Sequence, residues 1–293
     1  MGFDLQTLRF VLDAKRRGVD FSSTAMLGRQ TLAVPADDLR AEIERYGLEP
    51  LRSAITDIYA GFPYSDALLR ALGAVELDAI DVSEYEGASV VLDMNRPAPE
   101  SLHGRFTAVI DGGTLEHIFD VPQAFRNVAA LLRVGGHFVS VNGTNNFMGH
   151  GFYQFSPELF FRVLSPQNGF ELETLVLAET HRDSYWYEAT DPAVVRERLE
   201  LVNGHPTYVM VRARKIAEAP LFATVPQQSD YRDQSWRGTD IHAPPASEAA
   251  YRAPLSRRIL RGTLPRGLKL RLRALAQAAR NAYTAPHLRK REP

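Results

Sequence analysis

Residues 106–141 read FTAVIDGGTLEHIFDVPQAFRNVAALLRVGGHFVSV, and the pattern of this stretch decides the fold. It opens with a short apolar run, Thr107–Asp111, whose β-branched and small residues predict a buried strand. Apolar residues then recur at helical spacing, with Pro122 suited to a first helical turn and Gly135 to a stop. A second apolar run, His137–Val141, follows at once. Strand, helix and strand in this order predict a right-handed crossover between parallel strands.

The same strand signal recurs along the chain. Three earlier apolar runs predict further buried strands, at Thr24–Leu27, Leu77–Asp81 and Val90–Asp93. Residues 169–180 and 205–215 read as an antiparallel pair that closes the sheet, and a helix capped by Ser156 precedes them. The sequence therefore predicts an α/β protein with a doubly wound, mostly parallel, seven-stranded sheet covered by helices.

The composition changes after Lys215. Residues 216–293 are first rich in proline and glutamine and then strongly basic, which predicts a linker and a basic C-terminal extension. Residues 1–215 are accordingly expected to form the folded domain. Within the extension, one apolar helical face is predicted from Leu268, Leu270, Leu272 and Leu275. Such a helix either packs against its own domain or docks on an acidic partner or a membrane surface.

The bulk composition excludes several classes of protein. The chain has no cysteine, which excludes disulfides, thiolate metal sites and cysteine nucleophiles. A formal net charge of −1 gives no global attraction to nucleic acid. No run approaches the ~18 apolar residues that a membrane span needs. The N-terminal residues also lack the apolar core of a secretory signal, so a cytoplasmic protein is expected.

Ligands of an open parallel sheet bind at the carboxyl ends of its strands, so the residues that follow each strand are candidate contacts. They are Gly28, Arg29, Gln30, Asp81, Ser83, Asp93, Met94, Asn95, Asp111, Gly112, Gly113, Asn142, Gly143 and Asn145. A carboxylate after the second strand can accept both hydroxyls of a ribose, and glycines let the backbone approach a ligand. Asp and Asn are also common turn residues, but their recurrence after successive strands favours a ligand site.

The opening stretch resembles the second half of class I S-adenosylmethionine-dependent methyltransferases, in the group that includes the ubiquinone-biosynthesis enzymes. The matching features are Asp111 after the fourth strand, Leu115-Glu116-His117, Leu131-Leu132-Arg133, and Gly135-Gly136 before the fifth strand. The resemblance covers roughly residues 21–215 and implies a Rossmann-like methyltransferase fold with S-adenosylmethionine as cofactor. It implies that Asp81 holds the ribose and that Asp93 and Met94 flank the adenine. Asp111, Gly112 and Gly113 complete the cofactor contacts expected on this edge.

The first strand is followed by a departure from that family. The family has an acidic residue and three alternating glycines there, whereas this chain has MLGRQTL with Gly28 alone. Either the loop is rebuilt, with Arg29 or Gln30 binding the cofactor carboxylate through charge-assisted hydrogen bonds, or the site is degenerate.

The acceptor side is predicted from residues 142–161, NGTNNFMGHGFYQFSPELFF, which mix aromatic rings with hydrogen-bonding groups. This mixture suits a flat or polyhydroxylated acceptor, although asparagines in a loop often only satisfy its backbone. Candidate acceptor contacts are Glu116, Asn145, Asn146 and Tyr153.

Two histidines are candidates for a general base. The pKa of imidazole suits proton abstraction near neutrality. His150 lies between two glycines on the predicted loop and is the first choice, while His117 either contacts a ligand or is a core residue. Some relatives bind a divalent metal through a glutamate three residues before the equivalent of Glu116. Gly113 stands at that position, so no metal is expected.

The leading hypothesis from the sequence is methyl transfer to an oxygen or nitrogen of a small molecule or glycan. The alternative is a non-catalytic binding or scaffold protein with a degenerate cofactor site. A dinucleotide oxidoreductase is a third, weaker hypothesis, because no G-x-G-x-x-G motif follows any predicted strand.

Overall fold

The computed structural model describes residues 2–196, 198–232 and 288–293. Its strands are β1 (Gly2–Phe3), β2 (Ser23–Leu27), β3 (Thr31–Leu32), β4 (Glu76–Asp81), β5 (Val90–Val91), β6 (Phe106–Asp111), β7 (Leu132–Asn145), β8 (Phe170–Glu179), β9 (Trp186–Ala189), β10 (Thr207–Lys215) and β11 (Leu288–Arg291). Its helices are α1 (Leu5–Arg16), α2 (Ala36–Arg45), α3 (Ile55–Ala60), α4 (Asp66–Ala71), α5 (Val121–Leu131), α6 (Pro157–Val163), α7 (Pro192–Val195) and α8 (Ser229–Arg232). Single 3₁₀ turns lie at Glu49–Ala54, Glu100–Leu102, Leu115–His117 and Pro166–Asn168.

Nine of the described strands form one large mixed sheet in the order β11-β9-β8-β10-β7-β6-β2-β4-β5, and β1 and β3 form a separate parallel pair. From β5 to β7 every neighbouring pair is parallel, and from β7 to β11 every pair is antiparallel. The central parallel strands β2 and β6 are covered on both faces, and β6 is buried at every position. This arrangement confirms the predicted α/β fold with a parallel core.

Three of the predicted parallel strands agree with β2, β4 and β6 to within one residue, and the other two differ in length. β5 stops at Val91 because Asp93 Oδ1 accepts a hydrogen bond from the Asn95 amide, which turns the chain. β7 begins at Leu132, directly after α5, so Gly135 does not stop the helix as predicted. Gly135 lies instead in a bulge with φ +88°, where the register against β6 shifts.

The antiparallel part of the sheet is larger than the sequence predicted. β8 and β10 form the expected closing pair, and Ser156 caps α6 by accepting from the Glu158 amide. β9 and β11 then extend the sheet beyond seven strands. β11 comes from the basic C-terminal extension and pairs with β9, because an open sheet edge offers unpaired backbone groups. The leucine face predicted at residues 268–275 lies outside the described residues.

Apolar side chains cover both faces of the sheet. On one face Phe10 and Leu12 of α1 pack with residues of α2 to α4, and on the other Phe125 of α5 packs with Phe160 of α6. α1 begins where the Asp4 carboxylate accepts from the Thr7 amide. In the described part of the chain no helix combines the length and apolar character of a membrane span.

The strand order reverses between β2 and β6, the first and fourth strands of the parallel core. From β2 the chain builds outward to β4 and β5, whereas β6 leads the other way to β7. The carboxyl ends of β2 and β6 therefore lie at the position where ligands usually bind in an open α/β sheet. The candidate residues after these strands consequently meet at one edge.

Candidate functional site

Asp111, at the end of β6, supports the turn that follows it. Its fully buried carboxylate accepts four hydrogen bonds, from the Thr114 amide (2.8 Å), the Leu115 amide (3.3 Å), Ser140 Oγ (2.7 Å) and Asn142 Nδ2 (2.7 Å). Burial raises the pKa of Asp111, and the four donors act in the opposite direction. The structure thus places Asp111, which was expected among the cofactor contacts, beneath the edge of the sheet. Gly113, with φ +93°, takes the left-handed conformation this turn needs.

The Gln30 side chain packs between the end of β2 and Gly112, next to the loop in which the sequence lacks a glycine-rich turn. Its Nε2 donates to the Leu27 carbonyl at 2.5 Å, and its Oε1 is buried with no hydrogen-bond partner among the described residues. The carboxamide lies on Gly112, where an ideal Cβ would come within 2.5 Å of Oε1. Thr114 Oγ1 also donates to the Leu27 carbonyl, at 2.6 Å. The loop after β2 therefore contains one buried acceptor, the Gln30 oxygen, that has no hydrogen-bond partner in the described residues and lies against Gly112.

Arg29 and Asp81 occupy different surroundings on this edge. The Arg29 guanidinium is paired with Asp66 (3.2 Å), donates to the Glu86 carbonyl and stacks over Tyr64. Asp81 Oδ2 lies 3.8 Å from the position of an ideal Cβ on Gly28, which has φ +68°. The structure therefore brings Asp81 and Gly28 together and engages Arg29 with other protein groups.

Asp93 and Met94 belong to a loop that α5 holds in place. The exposed Asp93 carboxylate binds the Asn95 amide and side chain, whereas Met94 is buried. Asn127 of α5 donates to the Met94 carbonyl at 3.1 Å and accepts from the Ala98 amide at 2.9 Å. This helix therefore fixes the loop that is expected to meet the adenine.

Glu116, His117 and His150 form the most polar cluster of the site. Glu116 is fully buried, and neither of its carboxylate oxygens has a hydrogen-bond partner within the described ranges. His150 Nε2 lies 3.7 Å from Glu116 Oε1, and the two imidazole rings are 4.9 Å apart. Burial, and then the charge of Asp111, raise the pKa of Glu116 to about 8. Burial, and then His150, lower the pKa of His117.

The loop that carries His150 is attached to the turn that carries Glu116. The Glu116 carbonyl accepts from the Phe152 amide at 2.7 Å and from the Tyr153 amide at 3.3 Å. Gly151, with φ +71°, allows this approach, because an ideal Cβ there would lie 2.6 Å from the Glu116 carbonyl oxygen. The two histidines are therefore brought together by backbone contacts rather than by their own side chains.

The remaining predicted acceptor contacts hold the loop together. Asn145 and Asn146 both donate to Asn203 Oδ1, at 2.8 and 3.0 Å, and the Tyr153 hydroxyl donates to the Phe119 carbonyl. Sequence reasoning missed Asn203, for which only its Asn-Gly turn offers a signal, and Phe119, which stands two residues after the LEH motif. Phe119 and Phe152 make edge contact at 5.7 Å, are 70% and 65% exposed, and so present an apolar surface beside the histidines.

No protein-family model matches this sequence, and no curated protein matches it significantly. The solved structures that resemble the chain include S-adenosylmethionine-dependent methyltransferases at low identity. One from Mesorhizobium loti is 15% identical over 72% of this chain and 98% of its own length, with a TM-score of 0.40. The trans-methyltransferase CalH in complex with SAH is 13% identical over 71% of this chain and 55% of its own length, with a TM-score of 0.38. The N1-methyltransferase of 1,6-didemethyltoxoflavin from Burkholderia thailandensis is 14% identical over 64% and 95%, with a TM-score of 0.35.

Proposed function

We propose that this chain binds S-adenosylmethionine at the carboxyl edge of its parallel strands and transfers a methyl group to an oxygen or nitrogen of a small molecule or glycan. One observation carries the proposal. The turn from Gly112 to His117 begins with a glycine that packs against Gln30 and ends with Glu116 and His117. His150, from the neighbouring loop, lies beside the Glu116 carboxyl group and the His117 ring. Methyl transfer is an in-line displacement that depends chiefly on alignment of donor and acceptor, so one rigid turn that contacts both is suited to it.

The cofactor half of the proposal uses the polar groups beside β2 and β4. Asp81 would accept hydrogen bonds from the ribose hydroxyls, and the loop with Asp93 and Met94 would meet the adenine. The buried Oε1 of Gln30 is an acceptor that has no partner in the described residues, so its chemistry suits the ammonium group of the methionyl end rather than its carboxylate. Arg29 is a weaker candidate for the carboxylate, because Asp66 already pairs with its guanidinium.

The acceptor half of the proposal uses His150 as the general base. Its side chain is 36% exposed, so an acceptor can reach it from solvent, while its Nε2 faces the buried Glu116 carboxylate at 3.7 Å. Because burial raises the pKa of Glu116 to about 8, its carboxyl group is largely neutral near pH 7. A proton taken up by the imidazole would favour ionisation of Glu116, and the carboxylate would in turn stabilise the imidazolium cation. Phe119 and Phe152 would cover an apolar or ring-shaped part of the acceptor.

The alternative function is that of a non-catalytic binding protein with a degenerate cofactor site. It is favoured by the same Gln30 side chain, because a carboxamide packed on Gly112 occupies space that the family leaves to backbone and cofactor. The two functions predict opposite results when the cofactor is added.

Calorimetric titration with S-adenosylmethionine and S-adenosylhomocysteine separates the two functions. We expect micromolar binding of both ligands. We also expect Asp81→Ala to weaken it by at least ~1.5 kcal/mol, about tenfold, through the loss of hydrogen bonds to an ionised carboxylate.

Glu84→Ala is the matched control, since Glu84 is an exposed acid three residues further on. It should leave the affinity unchanged. Absence of binding at millimolar ligand would contradict the proposal and favour the scaffold. Binding that Asp81→Ala leaves intact would contradict the ribose assignment alone.

A further inference from the structure

We propose that Glu116, His117 and His150 bind a divalent first-row transition-metal ion, with Zn²⁺ as the reference ion. One ligand atom from each residue can be chosen so that all three lie within 4.8 Å of one another. A tetrahedral metal with ligand bonds of about 2.0–2.2 Å holds its ligand atoms at separations below that limit. The three side chains therefore need only small rotamer adjustments to share one ion.

The buried polar atoms of the cluster point to a missing ligand. A carboxylate shielded from water is normally hydrogen-bonded or paired, because an unpaired buried charge costs several kcal/mol. Glu116 is 0% exposed, yet both of its oxygens are without a partner in the part of the chain that the structure describes. His150 Nε2, which faces it, is buried and unpartnered in the same residues. A cation between the carboxylate and the imidazoles would satisfy these atoms together.

The backbone holds the three ligands in place before any ion binds. Glu116 and His117 lie on one 3₁₀ turn, which the buried Asp111 fixes through the amides of Thr114 and Leu115. The loop of His150 is joined to that turn by two hydrogen bonds to the Glu116 carbonyl. Ligands fixed in this way lose little conformational freedom on binding.

The donor set selects the class of metal. Two imidazole nitrogens and one carboxylate suit Zn²⁺, Mn²⁺, Fe²⁺ or Co²⁺, whereas Mg²⁺ and Ca²⁺ prefer all-oxygen sites. Three protein ligands also leave at least one coordination position for water or an acceptor oxygen. The His150 side chain is partly exposed, so the cluster is accessible from solvent.

This inference departs from the sequence expectation of no metal. That expectation rested on Gly113, which stands where relatives carry an additional glutamate. His150, from a loop distant in sequence, supplies a third ligand without it. The inference goes beyond the proposed methyl transfer and does not depend on it, although an ion would make His150 a ligand instead of the free base.

The test is titration of the untagged, chelator-treated protein with Zn²⁺ against a competing colorimetric chelator, and with Co²⁺ followed by its visible absorption. We expect one ion per chain at micromolar or tighter affinity. Loss of an outer-shell partner already costs about 10–100-fold in metal affinity. Loss of a ligand in Glu116→Gln or His150→Ala should therefore weaken Zn²⁺ binding by at least ~100-fold.

His181→Ala is the matched control, because His181 is also a histidine beside a glutamate and near a second imidazole, but it is exposed. It should leave the stoichiometry and affinity of the tight site unchanged.

Circular dichroism establishes that each variant is folded, and His150→Ala keeps the test decisive should Glu116→Gln fail to fold. No Zn²⁺ or Co²⁺ binding at millimolar metal, or tight binding that survives His150→Ala, would overturn the proposal. Neither metal readout requires S-adenosylmethionine, so failure here is distinguishable from failure of the proposed function.

Discussion

Gln30 and Gly112 face each other at the point where the sequence departs from the methyltransferase pattern. The Gln30 carboxamide lies directly on the Gly112 backbone, so only a residue without Cβ fits opposite it. Gly112 does not have a positive φ, and alanine is therefore limited there by space alone. Gly112, directly after β6, is thus a second position at this edge, besides Gly28, whose surroundings favour a residue without Cβ.

This contact predicts a non-additive pair of substitutions. Gly112→Ala should lower the free energy of unfolding by about 1–3 kcal/mol, as overpacking does, and Gln30→Ala in the same chain should restore most of that loss. Urea unfolding of the two single variants and the double variant measures the coupling.

Gly204→Ala is the control for that cycle, because an added Cβ there meets no atom within 4 Å and no positive φ is involved. It should change stability by less than ~0.5 kcal/mol. Simple additivity of the two losses would show that the side chains of residues 30 and 112 do not meet.

The sequence identified most of the residues at this edge but not their surroundings. Gln30, Asp81, Glu116 and His150 could be selected because each follows a strand or a family motif. The burial of Glu116, with no partner for its carboxyl group among the described residues, could not be predicted, because it depends on Phe152 and the rest of a distant loop folding back onto the Glu116 carbonyl.

At the scale of elements, a long segment lies between β2 and α4, where the methyltransferase pattern has a glycine-rich turn. The Gln30 carbonyl accepts from the Ser65 amide and the Leu32 amide donates to the Pro63 carbonyl, so the chain leaves the edge of the sheet and returns beside its starting point. Residues 31–64 therefore form an excursion, and α4 then leads into β4. Its helices α2 and α3 were not predicted, because strand periodicity alone does not reveal an insertion of this kind.

A second element-scale feature is the attachment of α5 to the loop after β5, and it predicts a linked loss of stability and affinity. Asn127→Ala should destabilise the fold by about 3 kcal/mol, since it leaves the buried Met94 carbonyl and Ala98 amide without their partner. If that loop meets the adenine, cofactor affinity should fall as well. Chemical unfolding and calorimetry on the same variant measure both effects.

Gln123→Ala provides the comparison for Asn127. Gln123 lies one turn earlier on α5, and among the described residues its side chain donates only to Asn127 Oδ1, at 2.9 Å. Its loss should cost less than ~1 kcal/mol. Equal effects of the two substitutions would show that α5 does not fix the loop.

Across the whole molecule, a buried carboxylate connects the N-terminal helix α1 with two strands, β10 and β11, of the antiparallel half of the sheet. Asp13 of α1 is fully buried and pairs with Arg17 (2.7 Å), Arg212 of β10 (3.4 Å) and Arg291 of β11 (3.0 Å). The basic extension predicted from the sequence therefore contributes one cation to an internal network. Composition could predict the basic tail, but its partner is set by tertiary contacts between residues far apart in the chain.

The charge network predicts how stability depends on pH. Burial alone would raise the pKa of Asp13, but the arginines, led by Arg17, outweigh it, and the pKa in the fold lies below the ordinary value of 3.8. The stability that ionised Asp13 contributes is therefore fully present above about pH 4 and is lost as the pH falls through the lowered pKa. Asp13→Asn should cost about 3 kcal/mol at pH 7, because Arg17, Arg212 and Arg291 lose the buried carboxylate that they share, even though Arg212 keeps its ion pair with Glu173. The difference from wild type should shrink at pH 3. Urea unfolding at both pH values measures this, with Asp37→Asn as a control whose carboxylate is 93% exposed and should matter little at either pH. A loss that is equally large at pH 3 would show that packing of the Asp13 side chain, rather than its charge, holds α1 to the sheet.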